Sequence, residues 1–553
     1  MSKKIITEKE ITTAWETLRK YKEGKTSLED RIVEEEMFWK RRHWEVLRKA
    51  DEKTRPSSAW MFNSIANKHA DAMDSFPEVV CLPREESDKE SAEVMTNIIP
   101  VILERNGFED TYSDNWWYKL KHGCAAYGVF WDNSLNNGLG DVQVKKIDLL
   151  NIFWEPGITD IQKSRNLFIC DLVPVDVIKE KYSNAQINGG SQTEIKEYIY
   201  DDSIDTNDKA LVVDWYYKKG GKLCYCKFCE NNILYSSENE GVDNGWYEDG
   251  EYPVEFDVLY PEEGTPIGFG IISVTKEPQL YIDTLDNLIM DYANAAARAR
   301  FFIKHSSGVN EKELLDASSP LVHVEGDVDE RHIRQLNVNP LNGYIMNFRQ
   351  TKVEELKETS SNRDFSQGGT AGGVTSGAAI AVLQEAGNKT SRDMIDASYR
   401  VYTRLAHKII ERMRQFYTES RVFRITGDDG KNKYVQFDNS AITEQSMGTV
   451  GENELFRKPI FDIKVHAQKK SPFSTLSQNE TASNLYNMGL FNPQNAQMAL
   501  AALKMMTFEG KNEVEDYIRE GATLQNQLMQ IQQQMEMLVR ENAMLKGETV
   551  ESV

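Results

Sequence analysis

The apolar residues of this chain change period along its length, and that change limits the fold more than any motif does. From about residue 127 to 260 they fall in short alternating or β-branched runs: "YGVFWD", "DVQVKKID", "NIFWEP", "LFICDLVP", "ALVVDWYYKKGGKLCYCKF" and "NILYS". A period of two, broken by turn signals such as "NNGLG" and "KKGG", predicts strands. The Gly220–Gly221 pair between two of these runs predicts a hairpin. On both sides of this block the period is helical. An α+β chain is the expectation.

Residues 1 to 55 read as helical and heavily charged. In "IVEEEMFWKRRHWEVLRKA", Phe38, Trp39 and Trp44 stand among Lys40, Arg41 and Arg42. Such interleaving can bind nucleic acid by stacking and charge. The preceding Glu34, Glu35 and Glu36 favour an amphipathic helix that docks by its tryptophans and keeps its charges solvated. A second helix is expected from a cap at Asn63, with Ile65, Ala66, His69 and Met73 on one face and Pro77 as the stop. His69 reads as a face residue, not a ligand. Two more helices follow, separated at Gly107, with Trp116 and Trp117 as packing residues.

After "EEGTPIGFG" breaks the strand pattern, "EPQLYIDTLDNLIMDYANAAARARFFI" predicts a long helix with a stripe of Ile282, Leu285, Leu288, Ile289, Tyr292, Ala296 and Ala299. Asp283, Asp286 and Asp291 come early and Arg298 and Arg300 late, an order that complements a helix dipole. Ala293, Ala295, Ala296 and Ala297 would let another backbone approach closely. An excursion over 306 to 346 carries strand-like "PLVHVEG" and "GYIMNF", and "FRQTKVEELKETSSN" returns as a helix. The small-residue segment "SGAAIAVLQEAG" and a helix striped by Met394, Ala397, Val401, Leu405, Ile409 and Phe416 come next. Strands recur in "RVFRITGDD", "KYVQFD" and "IFDIKVHA", and helices occupy about 475 to 520. In the tail, Leu524, Leu528, Ile531, Met535, Leu538, Asn542 and Leu545 alternate in steps of four and three, a heptad seam with a register-setting Asn. Either copies of the tail self-associate along it, or it packs on its own chain.

The 553 residues suggest roughly three to four domains or subdomains. A formal charge of −22 argues against a simple nucleic-acid binder, which presents a basic footprint. The start "MSKKIITEKE" has no apolar signal-peptide core, and no apolar run approaches the roughly 18 residues of a membrane span. A soluble protein of intracellular origin is expected. Six cysteines are too few for a disulfide framework at this length. Cys224, Cys226 and Cys229 admit a thiolate metal site. No fourth ligand stands at finger-like spacing, so the plainer reading is a strand with Cys224 and Cys226 on one face.

The segment "RDFSQGGTAGGVTSGAAIAVLQE", residues 363 to 385, comes close to a phosphate-binding loop. Gly368 and Gly373 have the required spacing, but Val374 stands where the lysine belongs, and a charged helix precedes the loop where a buried strand is needed. No other catalytic motif assembles. Glu262–Glu263 and similar pairs are expected by chance in so acidic a chain, and His305, His323 and His332 are irregularly spaced.

The order of these elements resembles the portal (head-to-tail connector) proteins of tailed bacteriophages. The resemblance is carried by "DLLNIFWEPGITDIQKSRNLFI", "LYPEEGTPIGFGIISVTKEPQLYIDTLDNLIMDYA" and "FSQGGTAGGVTSGAAIAVLQEAGNKTSRDMI", and covers roughly residues 30 to 520. It implies a homo-oligomeric ring, usually a dodecamer, at one capsid vertex of the virion, assembled in the host bacterial cytoplasm and passing double-stranded DNA without reading its sequence. The implied partners are the terminase large subunit, a head–tail adaptor, and the major capsid and scaffolding proteins, with no membrane, cofactor or catalysis.

The implied layout is a wing over 1–270 and 389–470, a stem helix over 271–303, a clip over 304–346 and a second stem helix over 347–362. A tunnel loop and helix follow over 363–388, and a crown over 471–553. The tunnel loop would present Arg363, Asp364, Phe365, Ser366, Gln367, Gly368, Gly369, Thr370, Ala371, Gly372, Gly373, Val374 and Thr375 to DNA. Stem helices would pack through Ala293, Ala295, Ala296 and Ala297, and the crown through its heptad seam. A channel must not grip DNA: each neutralised phosphate adds affinity, whereas an acidic ring repels the duplex within a Debye length of about 8 Å. A phage adaptor with a coiled-coil tail and an acidic carboxylate-dependent hydrolase are the alternative readings.

Overall fold

The computed structural model describes residues 6–42, 44, 57–182, 187, 195–196, 198, 208–297, 300–304, 308–316, 320–325, 333–336, 341–361, 389–426, 432–450, 453–469, 483, 485–488, 496–505 and 511–546. The chain forms two compact units, residues 1–468 and 469–553. Helices and strands are mixed in the α+β manner that the apolar periods predict.

The first unit opens with α1 (Glu8–Trp39), started by a Thr7–Glu10 capping box. Next come α2 (Trp60–Met73), β1 (Ser75–Pro83), α3 (Lys89–Arg105) and α4 (Phe108–His122). The β-rich block contains β2 (Cys124–Asp132), β3 (Asp141–Ile147), β4 (Ile152–Trp154), β5 (Asn166–Pro174), α5 (Val175–Lys181), β6 (Lys209–Lys219), β7 (Lys222–Cys229), β8 (Asn232–Ser236) and β9 (Val254–Val258). Strands β4 to β8 form one antiparallel meander in chain order, and β3-β2-β9 a second sheet. The β6–β7 turn falls on Gly220 and Gly221, at φ 59° and 80°. Two successive left-handed residues make the turn whose twist matches a hairpin, and glycine adopts it without a Cβ clash.

The apolar stripe of α1 lies against one face of the meander, with Ile11, Leu18 and Tyr21 among Phe153, Phe168, Val213 and Phe228. Cys170, Cys224 and Cys226 are buried in this same cluster, and Cys229 belongs to a different one. The reading of Cys224 and Cys226 on one strand face therefore fits. Among the described residues no group of His, Cys, Asp and Glu is arranged to hold a metal.

A short pair, β10 (Tyr260–Pro261) and β11 (Gly268–Phe269), spans "EEGTPIG" and leads into α6 (Ile271–Ala297). Beyond it lie β12 (Arg300–Ile303), α7 (Glu311–Leu315), β13 (Ile333–Leu336) and α8 (Gly343–Thr359). The unit closes with α9 (Lys389–Phe416), the hairpins β14 (Arg421–Thr426) with β15 (Asn432–Phe437) and β16 (Gln445–Val450) with β17 (Asn453–Arg457), and β18 (Phe461–Lys469). Strand β18 returns to pair with β1. The main core joins α3, α4, β2 and α9 through Ile99, Tyr112, Trp116, Tyr127, Tyr402 and Ile409. Inside it Lys119 lies 2.7 Å from Asp257, and Ser398 bonds both, so α4, β9 and α9 share one satisfied polar knot.

Several local expectations are corrected. Helix α2 begins at Trp60, capped at Ala59 and not at Asn63, because Trp60 packs on Ile282, Val353 and Leu356. It ends at Met73, and Pro77 sits inside β1. The long helix stops at Ala297, since the aromatic run Phe301–Phe302 is drawn into antiparallel pairing with 333–336. "GYIMNF" is helical: Asn342 caps Tyr344, and Tyr344 stacks on Phe348 one turn later. The stripe of α9 runs through Met394, Val401, Leu405 and Ile409 as expected, with Ser398 buried where the half-buried Ala397 was expected. Phe416 is half-buried and stacks on Trp131. Hairpin β16–β17 had no signal in the apolar pattern. Of the expected docking residues, Phe38 is buried and Trp39 stacks on Phe62. Glu34, Glu35 and Glu36 are not a solvated face: Glu35 is fully buried.

In the second unit α10 (Ala496–Met505) and α11 (Lys511–Lys546) pack through Ala499, Leu503 and Ile518.

Candidate assembly and channel surface

Helices α6 and α8 pack against each other, with a charged fork beside a small apolar contact. Their shared apolar contact is small: Ile282, Val353 and Leu356, with Trp60 against them. Around it the Arg349 guanidinium forks onto both oxygens of Asp286, a bidentate geometry stronger than a simple ion pair. Asp283, one of the acids placed early in the helix, is buried. It accepts from Ser58 N and Oγ at 2.8 Å each and from Gln279 Nε2 at 2.9 Å, which ties α6 to the entry of α2.

The basic residues of these two helices are all engaged. Lys276 reaches Glu34 at 3.4 Å, and Arg349 holds Asp286. Lys352 pairs with Glu355 at 2.6 Å and lies over the Tyr281 ring, and Lys357 lies over Trp60. What remains is an excess of carboxylates, among them Glu277, Asp291 and Glu354. Such a surface offers phosphate no free cation.

Val274, Tyr281, Leu288 and Ala295 recur every seven residues on α6, just under two turns, so they share a face. Tyr281 is 54% and Leu288 50% exposed, although Leu288 belongs to the expected apolar stripe; Tyr292 of that stripe is half-buried. Ala293, Ala296 and Ala297 are exposed and Ala295 is half-buried, while Ala299 lies outside the described residues. The excursion beyond α6 is less complete still. It has a two-stranded sheet, a short helix capped by Asn310 and one bridge from Val309 to Val324. Yet among the described residues from 300 to 348 none is buried, and Phe302, Leu315, Leu321 and Tyr344 are exposed. His323 is exposed and paired with Glu313 at 2.8 Å, while His305 and His332 lie outside the described residues.

The expected DNA-facing residues 363–375, from Arg363 to Thr375, also lie outside the described residues. In the second unit, Leu524, Leu528, Ile531, Met535 and Leu538 run exposed along α11, with Asn542 exposed in the same seam. Leu545 is within α11, but its side chain is outside the described residues. The sequence reading missed the Asp286–Arg349 fork. The two residues are 63 positions apart, and no spacing signals their meeting.

Among the described residues no helix is long and apolar enough to cross a membrane. A search of curated proteins finds no match. A family model described as phage P22-like portal protein matches residues 30–255 and 220–550, nearly the whole chain. The chain therefore belongs to the P22-like portal protein family, the structural proteins of the tailed-phage portal vertex.

Proposed function

We propose that copies of this chain close into a ring at one capsid vertex, and that double-stranded DNA passes through its bore during packaging and ejection. In this reading α6 and α8 are the stem, the excursion between them is the clip, and the clip receives the terminase large subunit and then a head–tail adaptor. The glycine-rich segment 363–375 touches the duplex as it slides, the exposed seam of α11 joins neighbouring crowns, and no step is catalytic.

The unfinished protomer carries this reading. A clip with paired strands but no buried residue among those described cannot stabilise itself, because burial of apolar surface is the main term that offsets chain entropy. A neighbouring copy supplies the missing contacts. The engaged cations of α6 and α8 support the channel role, since an acidic wall leaves the duplex unheld.

Electron microscopy and mass photometry of the purified protein test it. Closed rings with a central hole are expected. A monodisperse monomer at every concentration refutes the ring, and carboxylate-dependent hydrolysis of a glycan or nucleotide would refute the non-catalytic role.

A further inference from the structure

The three consecutive glutamates at the end of α1 are each held by other helices. Glu34 lies 3.4 Å from Lys276 Nζ. Glu35 accepts from Ser273 Oγ and lies 3.0 Å from His122 Nδ1. Glu36 accepts from Lys121 Nζ at 2.5 Å and lies 3.3 Å from His122 Nε2, an ion-pair contact more than an aligned hydrogen bond. Lys121 and His122 end α4, and Ser273 and Lys276 lie in the first two turns of α6. The backbones also touch here. A Cβ at Gly270 would lie 2.2 Å from the Lys121 carbonyl oxygen, and one at Gly123 would lie 2.1 Å from the Phe269 carbonyl carbon.

His122 and Glu35 have no solvent exposure. A neutral imidazole has one N–H and one lone pair, so a ring with a carboxylate at each nitrogen sets a lone pair against a negative charge unless both nitrogens are protonated. Burial alone would raise the Glu36 carboxyl, but the close contact with His122 and the charge and hydrogen bond of Lys121 outweigh it and hold the group at about 2.

We propose that His122, as an imidazolium between Glu35 and Glu36, is a charge lock that fastens the root of α6 to α1 and α4, and that loss of its proton releases that root. His122 and Glu35 are thus positioning residues for α6. Among the described residues the charged and titratable groups around the ring include Glu34 to Glu36 and Arg31 on α1, Tyr118 and Lys121 on α4, Lys146 on β3 and Lys276 on α6, with Asp148 and Tyr198 on the Tyr118 hydroxyl. Arg31 donates to the Gly268 carbonyl, the Tyr118 ring lies 4.6 Å from His122, and Lys146 lies over that ring. The lock holds while the ring is charged. On the acid side its Glu36 contact persists until pH falls toward about 2, where Glu36 protonates. Naming α6 a stem rests on the proposed function; the lock does not.

Hydrogen exchange of the full-length protein at pH 6 and pH 9, corrected for intrinsic exchange, tests this. In the wild type, amides of residues 268–280 should be protected at pH 6 and exchange at least about a hundredfold faster at pH 9, the lower bound expected for breaking one side of a buried ion pair. His122→Gln should show the fast value at both pH values. Glu34→Gln, which touches only the more exposed Lys276 pair, should keep the wild-type profile. A flat wild-type profile overturns the lock, and so does a His122→Gln variant with wild-type protection or equal loosening of β5 to β7. If His122→Gln is insoluble, the wild-type profile alone decides. Failure to form rings would count against the stem and leave this profile untouched.

Discussion

Replacing Leu288 by Asp should block ring assembly and leave the protomer folded. Half of the Leu288 surface is already in water in the single chain. Covering that exposed half in an interface contributes about 1 kcal/mol, half of the roughly 2 kcal/mol for burying a whole leucine. An aspartate there loses that gain and adds a carboxylate one turn from Asp291, in a contact with no free cation on α6 or α8. Burying an unpaired polar group costs about 1–3 kcal/mol more. The sum, about 2–4 kcal/mol per contact, weakens each association step by roughly thirty- to a thousandfold. The helix itself loses only about 0.5 kcal/mol of propensity. Mass photometry across a dilution series should show the ring fraction appearing at a concentration at least about thirtyfold higher than for wild type, with unchanged far-ultraviolet circular dichroism. Rings forming at the wild-type concentration would refute the assignment of this stripe to an interface. Loss of helical signal would show that Leu288 belongs to the protomer's own core.

Lys25 is buried, with its ammonium on the Leu149 and Ile152 carbonyls, and burial lowers it from 10.5 to about 8. The folded state therefore binds this proton less tightly than the unfolded chain, and the protein should gain up to about 3 kcal/mol as pH rises from 8 toward 10.5. Lys25→Met should flatten that slope between pH 7 and 9.5 in denaturant titrations, and an unchanged difference between the two proteins would contradict the assignment. Deleting 366–374 should leave rings intact while impairing DNA packaging or retention in a complementation assay; normal packaging would remove the tunnel-loop reading. Truncation after residue 520 should weaken crown self-association in sedimentation without affecting the exchange protection of α6 and α8, and loss of all soluble protein would mean that the tail is core.

What the sequence made legible is local. The stripe of α9, the strand runs of 127–260 and the Gly220–Gly221 turn follow from neighbours within a few positions, where period and backbone permission suffice. "GYIMNF" misled because its β-like composition was outweighed by one cap and one stacked pair a helical turn apart. Trp60 misled because what extends α2 backward is a contact with residues more than two hundred positions away. The Glu34–Glu36 run read as solvated because a triplet of acids gives no hint that a histidine 87 positions on is folded against it.

By itself, then, the chain determines its alternation of helical and strand-like blocks, its acidic character and the heptad spacing of its tail, since each is a property of composition or of spacing along one segment. Only the tertiary structure decides which charges are partnered. Asp286 meets Arg349, Glu35 meets His122 and β18 meets β1 because packing brings distant segments together. Burial then makes an unpaired charge too costly to leave in place. The same packing leaves α6 and the excursion with apolar side chains that no part of the described protomer covers, a feature that spacing alone could not separate from a buried stripe.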